Sequence, residues 1–347
     1  MAHIYPIRLH SSLHETIWGG RRLERDHWKT LPADNSLIGE SWETEVSTIV
    51  QNGAYENKTL AAVVEDAGED FLGTQAVAIF GKRFPLLAKF IDANGQLSVQ
   101  VHPKDEYAHA FEGGKLGKTE FWYILDAEPG ASIVHGFKAA TNPDEVRQAI
   151  ESVKLEELMH NEPVKAGDIV FVPAGTVHAI GSGIVLYELQ EYSDVTYRMY
   201  DYGRLTASGK PRELHIERSL DVSDYTVSPQ IKMHPVEISN TPEYSERCLV
   251  ACNYFVTREV QLRGGARNGT TEGSCIILTS LGADARVAYG ENLGQSEAFN
   301  RGQTVVLPAT LGDFRIEGEG SLLFSYVPAS NDSAWQAWKI ANPESAH

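Results

Sequence analysis

The sequence predicts a mostly β protein of two β-barrels, the second degenerate, with a few helices in the N-terminal half. Three observations lead there. From Phe84 onward the chain runs as short β-branched and aromatic stretches separated by Gly, Asn and Pro turns. Helical spacing of apolar residues is confined to about 58–71, a short extension at 74–80, and 142–159. A pattern also repeats. Gly167, five residues, then Pro173-Ala174-Gly175 recurs as Gly302, five residues, then Pro308-Ala309-Thr310, so that His178 corresponds to Asp313.

Residues 1–50 read as short β-like pieces around Trp18-Gly19-Gly20 and Gly39-Glu40-Ser41-Trp42-Glu43. Leu60, Val63, Val64 and Phe71 give the first helix its apolar face. Phe84–Ala93 is a buried strand carrying Lys89, and Asn94-Gly95 turns it into Leu97–Val101. Residues 103–117 are polar and Gly-rich, and Gly113-Gly114-Lys115-Leu116-Gly117 reads as a mobile loop. Strands follow at about 119–126 and 131–136. Asn142-Pro143-Asp144-Glu145 starts the second helix, and strands return at about 168–173, 177–181, 184–192 and 195–201. Beyond residue 213 almost only strands and turns are expected. Ser274-Cys275-Ile276-Ile277-Leu278 matches the Glu120–Leu125 strand, with Ser274 at the place of Glu120. The expected division is 1–95 for the N-terminal strands and helices, 96–212 for the first barrel with its helical insertion at about 142–159, and 213–347 for the degenerate barrel.

A length of 347 residues calls for more than one core. The formal net charge of −17 argues against nucleic acid or an anionic membrane as partner, and an anionic substrate would need a local basic pocket. Cys248, Cys252 and Cys275 stand outside any metal-like spacing with histidine. They read as buried thiols in a reducing cytoplasm. No apolar run of membrane-spanning length appears, and nothing indicates an oligomer beyond a monomer or weak dimer.

Gln100 and His102 are two apart on a strand and share a face. With Glu120 and His178 they make an amide oxygen, two imidazoles and a carboxylate, a donor set for zinc or a similar divalent ion. Lys118 shares a strand face with Glu120 and would project beside the metal. Ile184, Leu186, Glu188 and Gln190 share a face, with Glu188 the acid among them; Glu191 has the opposite parity. Arg198 offers a fixed charge and bidentate donors, and Lys89 and Lys118 would supply the missing basic pocket. His109, His135 and His160 read as solvated, Trp18 and Trp42 as packing residues.

Gly-(x)5-Pro-x-Gly-(x)2-His, from Gly167 to His178, is the second signature of the cupins, which are double-sheet jelly rolls. The first cupin motif is altered by Gln100. Gln-x-His-Pro, Lys-x-Glu and Ser193-Asp194-x-x-Tyr197-Arg198-x-Tyr200-Asp201-x-Gly203-Arg204 resemble type I mannose-6-phosphate isomerases. The likeness spans nearly the whole chain, which lacks the long helical insertion of the eukaryotic and enterobacterial members. It implies one zinc per chain on Gln100, His102, Glu120 and His178. It implies substrate and phosphate contacts at Ser98, Lys89, Lys118 and Arg204, and catalytic groups at Glu188, Asp194 and Arg198, with Lys118 beside them. The implied reaction is aldose–ketose isomerisation of a small phosphorylated sugar. It requires a base, which Glu188, a metal-bound water, a histidine or Asp194 could provide. Another cupin metalloenzyme or a non-enzymatic sugar-binding cupin is the competing reading. The first usually carries more histidine ligands, and the second tends to lose them.

Overall fold

The computed structural model describes residues 4–26, 28–205, 209–271 and 273–345. Its first strand, Ile7–Leu9 (β1), pairs with a strand near the other end of the chain, Ile7 opposite Val306. Ser12–Gly20 (β2) pairs with Ile38–Trp42 (β3), and the short helix Arg22–Arg25 (α1) lies between them. The helix Leu60–Leu72 (α2) starts at Thr59, whose hydroxyl accepts the Ala62 N–H. Thr74–Phe80 (α3) follows, and both helices match the sequence spacing.

Two facing sheets then take shape. Leu86–Ala93 (β4) and Val99–Val101 (β5) are followed by the helix Asp105–Phe111 (α4), by Glu120–Ala127 (β6) and by Ser132–Phe137 (β7). After the helix Pro143–Glu151 (α5) come Met159–Pro163 (β8), Ile169–Val172 (β9), His178–Ile180 (β10), Ile184–Glu191 (β11) and Tyr197–Tyr200 (β12). One sheet has the order β2-β3-β4-β11-β6-β9 and the other β12-β5-β10-β7-β8. Residues before 95 thus supply three strands of the larger sheet. Ile91, Trp122, Ile124, Val170 and Leu186 from one sheet pack on Ile133 and Ile180 from the other. Alternate residues of the larger sheet, among them Phe90, Phe121, Tyr187 and Leu189, face outward into the core shared with the C-terminal barrel.

The C-terminal part begins with the helix Ile216–Val222 (α6). Val236–Asn240 (β13), Tyr244–Ala251 (β14), Val256–Thr270 (β15), Ile276–Ser280 (β16), Asp284–Tyr289 (β17) and Gln295–Phe299 (β18) follow. Thr304–Leu307 (β19), Asp313–Tyr326 (β20) and the helix Ser333–Ala341 (α7) complete it. These strands and β1 form a nine-stranded sheet of path β1-β19-β16-β20-β15-β14-β13, with β17 set on β20 and β18 on β17. In the middle of β20, Gly318 has φ 149° and Gly320 φ 115°; a Cβ at Gly320 would lie 2.5 Å from the Gly282 carbonyl oxygen, so the strand passes there only without side chains.

The repeat is a repeat of topology. β6 lies between β11 and β9, as β16 lies between β20 and β19. Val172 and Leu307, each five residues past its glycine, stand opposite Glu120 and Ile276 respectively. The counterpart of Glu120 is therefore Ile276, two residues beyond Ser274, where sequence comparison alone places it. His178 stands opposite Gln100, and Asp313 opposite Thr270.

Three helical expectations change. Residues 105–111 form α4, with Asp105 and Glu106 in its first turn and Ala108 buried. The helix expected over 142–159 stops at Glu151: Val153 adopts φ 57°, and the chain re-enters the smaller sheet as β8. Beyond 213, α6 and α7 both form. The cap of α7 is Asp332, which accepts the Trp335 N–H, and Ala334, Trp335 and Trp338 are buried at helical spacing.

Candidate metal centre and cavity

Three strands and the residue after one of them bring the chemistry together. His178 opens β10, Gln100 is its direct partner on β5, and His102 follows β5 by one residue. Glu120 opens β6. His102, Glu120 and His178 are fully buried, and their ligand atoms all lie within 4.8 Å of one another. Nδ1 of His102 faces the Val195 carbonyl oxygen at 3.0 Å, and Nδ1 of His178 that of Thr176 at 2.8 Å. Each Nδ1–H donates to its carbonyl, which leaves each Nε2 as an acceptor.

Those two Nε2 atoms turn on one carboxylate. His102 Nε2 is 3.6 Å and His178 Nε2 3.5 Å from the oxygens of Glu120. Both Nε2 atoms are buried without a hydrogen-bond partner. Burial pushes both imidazoles down, that of His178 to about 3, so they are neutral. Burial, then the nearby Glu188, push Glu120 up against the pull of Lys118. Two free imidazole lone pairs facing a carboxylate are what a divalent cation needs, and the residues fit one.

Beside this group opens a cavity of about 450 Å³, lined by Gln100, Lys118, Ser98, Lys89, Glu188, Asp194 and Arg198 among others. One rung of the larger sheet, Trp42–Lys89–Glu188–Trp122, runs beneath it, with Trp42, Lys89 and Glu188 in its lining and Trp122 buried beyond them. Lys89 Nζ is 3.0 Å from Glu188 and 3.6 Å from Glu40, and lies 4.9 Å over the Trp42 ring. Burial works to raise the Glu188 carboxyl, but Lys89 and then Lys118 outweigh it and hold it below the usual carboxylate range. Lys118 Nζ is 2.8 Å from Glu120 Oε2. The indole N–H of Trp122 lies 3.1 Å from Glu120 Oε1 and 3.1 Å from Glu188 Oε2.

At another edge of the cavity stands Arg198, whose Nε is 3.4 Å from the Ser98 hydroxyl and whose Nη1 donates to the Glu213 carbonyl at 3.0 Å. Burial lowers its pKa, and Arg212 adds to that. Asp201 accepts from both Arg204 and Arg212, and these bonds hold its carboxyl low against the effect of burial.

Most residues singled out from the sequence therefore converge. Asp194 reaches the cavity from the rim, 68% exposed and 2.7 Å from Lys115. Arg204 does not line the cavity; it pairs with Asp201 and donates to the Gln96 carbonyl. Arg212, which sequence reading passes over, does line it. Its one signal is its place in Lys210-Pro211-Arg212-Glu213, and only the fold carries that segment back to Arg198. Glu40, Trp18 and Trp42 also line the cavity, and Trp18 packs into the core behind it as well. His135 is buried, not solvated: its Nε2 meets the Phe171 carbonyl at 2.9 Å and closes the seam between the sheets. Glu191 faces away from the metal group and accepts the Thr119 N–H at 2.8 Å, as its parity requires. All three cysteines are buried thiols.

Comparison with known proteins agrees with this geometry. The family model "Phosphomannose isomerase type I, catalytic domain" matches residues 7–129. The chain is 38% identical over 317 residues to the mannose-6-phosphate isomerase ManA of Bacillus subtilis, covering 90% of this chain and 96% of that one. It is 34% identical over 325 residues to the mannose-6-phosphate isomerase of Streptococcus mutans, covering 92% and 98%. The crystal structure of the mannose 6-phosphate isomerase from Bacillus subtilis superposes with a TM-score of 0.81 at 32% identity, over 92% of this chain and 99% of that one.

Proposed function

The chain belongs to the mannose-6-phosphate isomerases, and on that premise we propose that it interconverts mannose 6-phosphate and fructose 6-phosphate through a cis-enediolate, with one zinc held by Gln100, His102, Glu120 and His178. The observation that carries the reading is the pair of buried, unpartnered Nε2 atoms turned on Glu120 beside an open cavity lined by Lys89, Lys118, Glu188 and Arg198. Zinc bound there supplies a Lewis acid for the negative oxygen that develops as the proton leaves carbon.

The chain's own side chains account for the rest. Lys89 keeps Glu188 ionised, the form a base must have, and Glu188 lies in the cavity wall where a proton could be moved between C1 and C2. Asp194, exposed and engaged by Lys115, serves as a rim group. Lys89 and Lys118 are each answered by carboxylates, Glu188 with Glu40 and Glu120 respectively. Uncompensated positive charge therefore gathers at the arginines. Arg198 and Arg212, with the Ser98 hydroxyl, suit a phosphate, and Arg204 acts through the Asp201 it shares with Arg212.

The division at about residues 95 and 212, a cytoplasmic setting and a monomer or weak dimer belong to the same proposal. No helix among the described residues is long and apolar enough to cross a membrane. A coupled assay from mannose 6-phosphate to fructose 6-phosphate, before and after chelation, tests the function. Activity lost to chelation and restored by zinc is expected; no turnover by protein holding a full equivalent of metal would overturn it.

A further inference from the structure

From the shared hydrogen bond at the centre of the site, we infer that Trp122 is a positioning residue, whose single indole N–H fixes Glu188 against the metal-ligand carboxylate Glu120. The inference rests on the reading of Glu188 as the working carboxylate.

Two acids from different strands, Glu120 on β6 and Glu188 on β11, are buried side by side. Each has a lysine on one oxygen: Lys118 on Glu120 Oε2 at 2.8 Å and Lys89 on Glu188 Oε1 at 3.0 Å. The remaining oxygens, Glu120 Oε1 and Glu188 Oε2, point at the same N–H, each at 3.1 Å. The buried row from Lys118 to Lys89 therefore alternates cation, carboxylate, neutral donor, carboxylate, cation. A neutral donor between like charges satisfies both without cancelling either, so both remain available for ionic work. The ring itself is fully buried and meets His178 edge-on, with centroids 5.5 Å apart, so it is held on a third side.

The second barrel separates this role from packing. The rung that holds Glu188 opposite Trp122 corresponds to Phe324 opposite Leu278, and Glu120 corresponds to Ile276. Where both carboxylates are missing, the indole is missing too, and a leucine fills the wall. The N–H goes with the acids it serves.

Trp122→Phe keeps most of the ring and deletes the donor. The expected result is a fall in kcat of about tenfold, KM for mannose 6-phosphate within about twofold of the parent, and zinc affinity, read by chelator competition, weaker by about tenfold. In a Glu188→Gln background the further kcat loss should vanish, because the group being positioned is no longer a base. A kcat and zinc affinity both within twofold of the parent would overturn the inference. So would an equal, additive kcat loss in the Glu188→Gln background, which marks a packing role. Full activity of Glu188→Gln itself would instead remove the reading of Glu188 on which this rests. If Trp122→Phe does not fold, the indole ¹H–¹⁵N signal of Trp122 in the parent, assigned by elimination among the six tryptophans, carries the test. It should shift both on adding zinc to stripped protein and on Glu188→Gln, and a signal that moves in neither case overturns the inference.

Discussion

At matching rungs the two barrels keep one interaction and differ in the rest. Lys89 stands opposite Glu188 in the first, and Arg258 opposite Phe324 in the second. Each cation has a carboxylate on the neighbouring strand: Lys89 lies 3.6 Å from Glu40, and Arg258 2.8 Å from Glu246. Each also lies over an aromatic ring, Lys89 at 4.9 Å from Trp42 and Arg258 at 5.0 Å from Tyr326. A cation, an acid and a ring thus belong to the wall of both barrels and do not mark an active one. What marks the first is the set around Glu120, namely a second carboxylate, two imidazoles and an indole donor. In the second barrel, Ile276, Phe324 and Leu278 merge into an apolar core with Val260, Leu262 and Val305.

The largest expected effect falls on the metal set. His178→Ala or Glu120→Ala should lose zinc, measured by elemental analysis, and turnover by on the order of a thousandfold or more, since a Lewis acid contributes several kcal/mol. Asp313→Ala, at the matching place in the second barrel, should leave both unchanged. Zinc retained in both first-barrel variants would undo the contrast between the barrels.

Arg198→Ala comes next. Turnover should drop by about a hundredfold or more with zinc still bound, because the guanidinium faces the cavity and is not among the metal's ligands. Zinc lost together with activity would make Arg198 a structural residue.

The retained cation separates stability from chemistry. Arg258→Met leaves Glu246 buried with Arg267, at 3.1 Å, as its remaining cation among the described residues. It should cost about 3 kcal/mol in denaturant unfolding with kcat unchanged. Lys89→Met should instead lower kcat, because Glu188 loses the partner that keeps it ionised. A smaller effect separates two arginines. Arg212→Ala should raise KM for mannose 6-phosphate by about tenfold, roughly one charged hydrogen bond, and Arg204→Ala should raise it less. The reverse order would return the phosphate contact to Arg204.

How much is legible follows from where each signal resides. Period-two patterning and the fixed spacing from Gly167 to His178 are local, so the strands and the group His102, Glu120 and His178 can be read directly. Arg212 and the Glu40–Lys89 contact depend on strand pairing between distant segments, which spacing does not encode. The register of β16 differs by two residues from its sequence reading because both alignments keep the strand's parity; only pairing with β19 decides it. His135 reads as solvated because Gly136 follows it at the end of the expected strand; its burial comes from a carbonyl on another sheet. Helix α4 hides in a polar segment because seven residues burying one alanine carry almost no apolar period.

The finest contrast lies one residue past the active face. Glu191 follows Gln190, which stands opposite Glu120, and its counterpart is Val327, since Tyr326 stands opposite Ile276. Both Glu191 and Val327 are buried. Burial, and then Asp105, push the Glu191 carboxyl from its ordinary 4.5 up to about 8, against the hydrogen bond from Thr119. Its neighbours Cys252 and Tyr254 are themselves pushed up, Cys252 to about 12, and keep their protons through that range. Below pH 4.5 the carboxyl is protonated in both folded and unfolded chains and contributes no difference. Between 4.5 and about 8 the unfolded chain releases a proton that the folded chain retains, so stability falls as pH rises, and the loss levels off once both are ionised. Glu191→Gln removes this term while keeping an acceptor for Thr119. The variant should match the parent in Tm near pH 5 and exceed it by a growing margin up to about pH 8, with zinc content equal. Parallel Tm curves would mean that Glu191 is ionised in the fold, and that an acid is accommodated at this position in the wall as readily as the valine is in the second barrel.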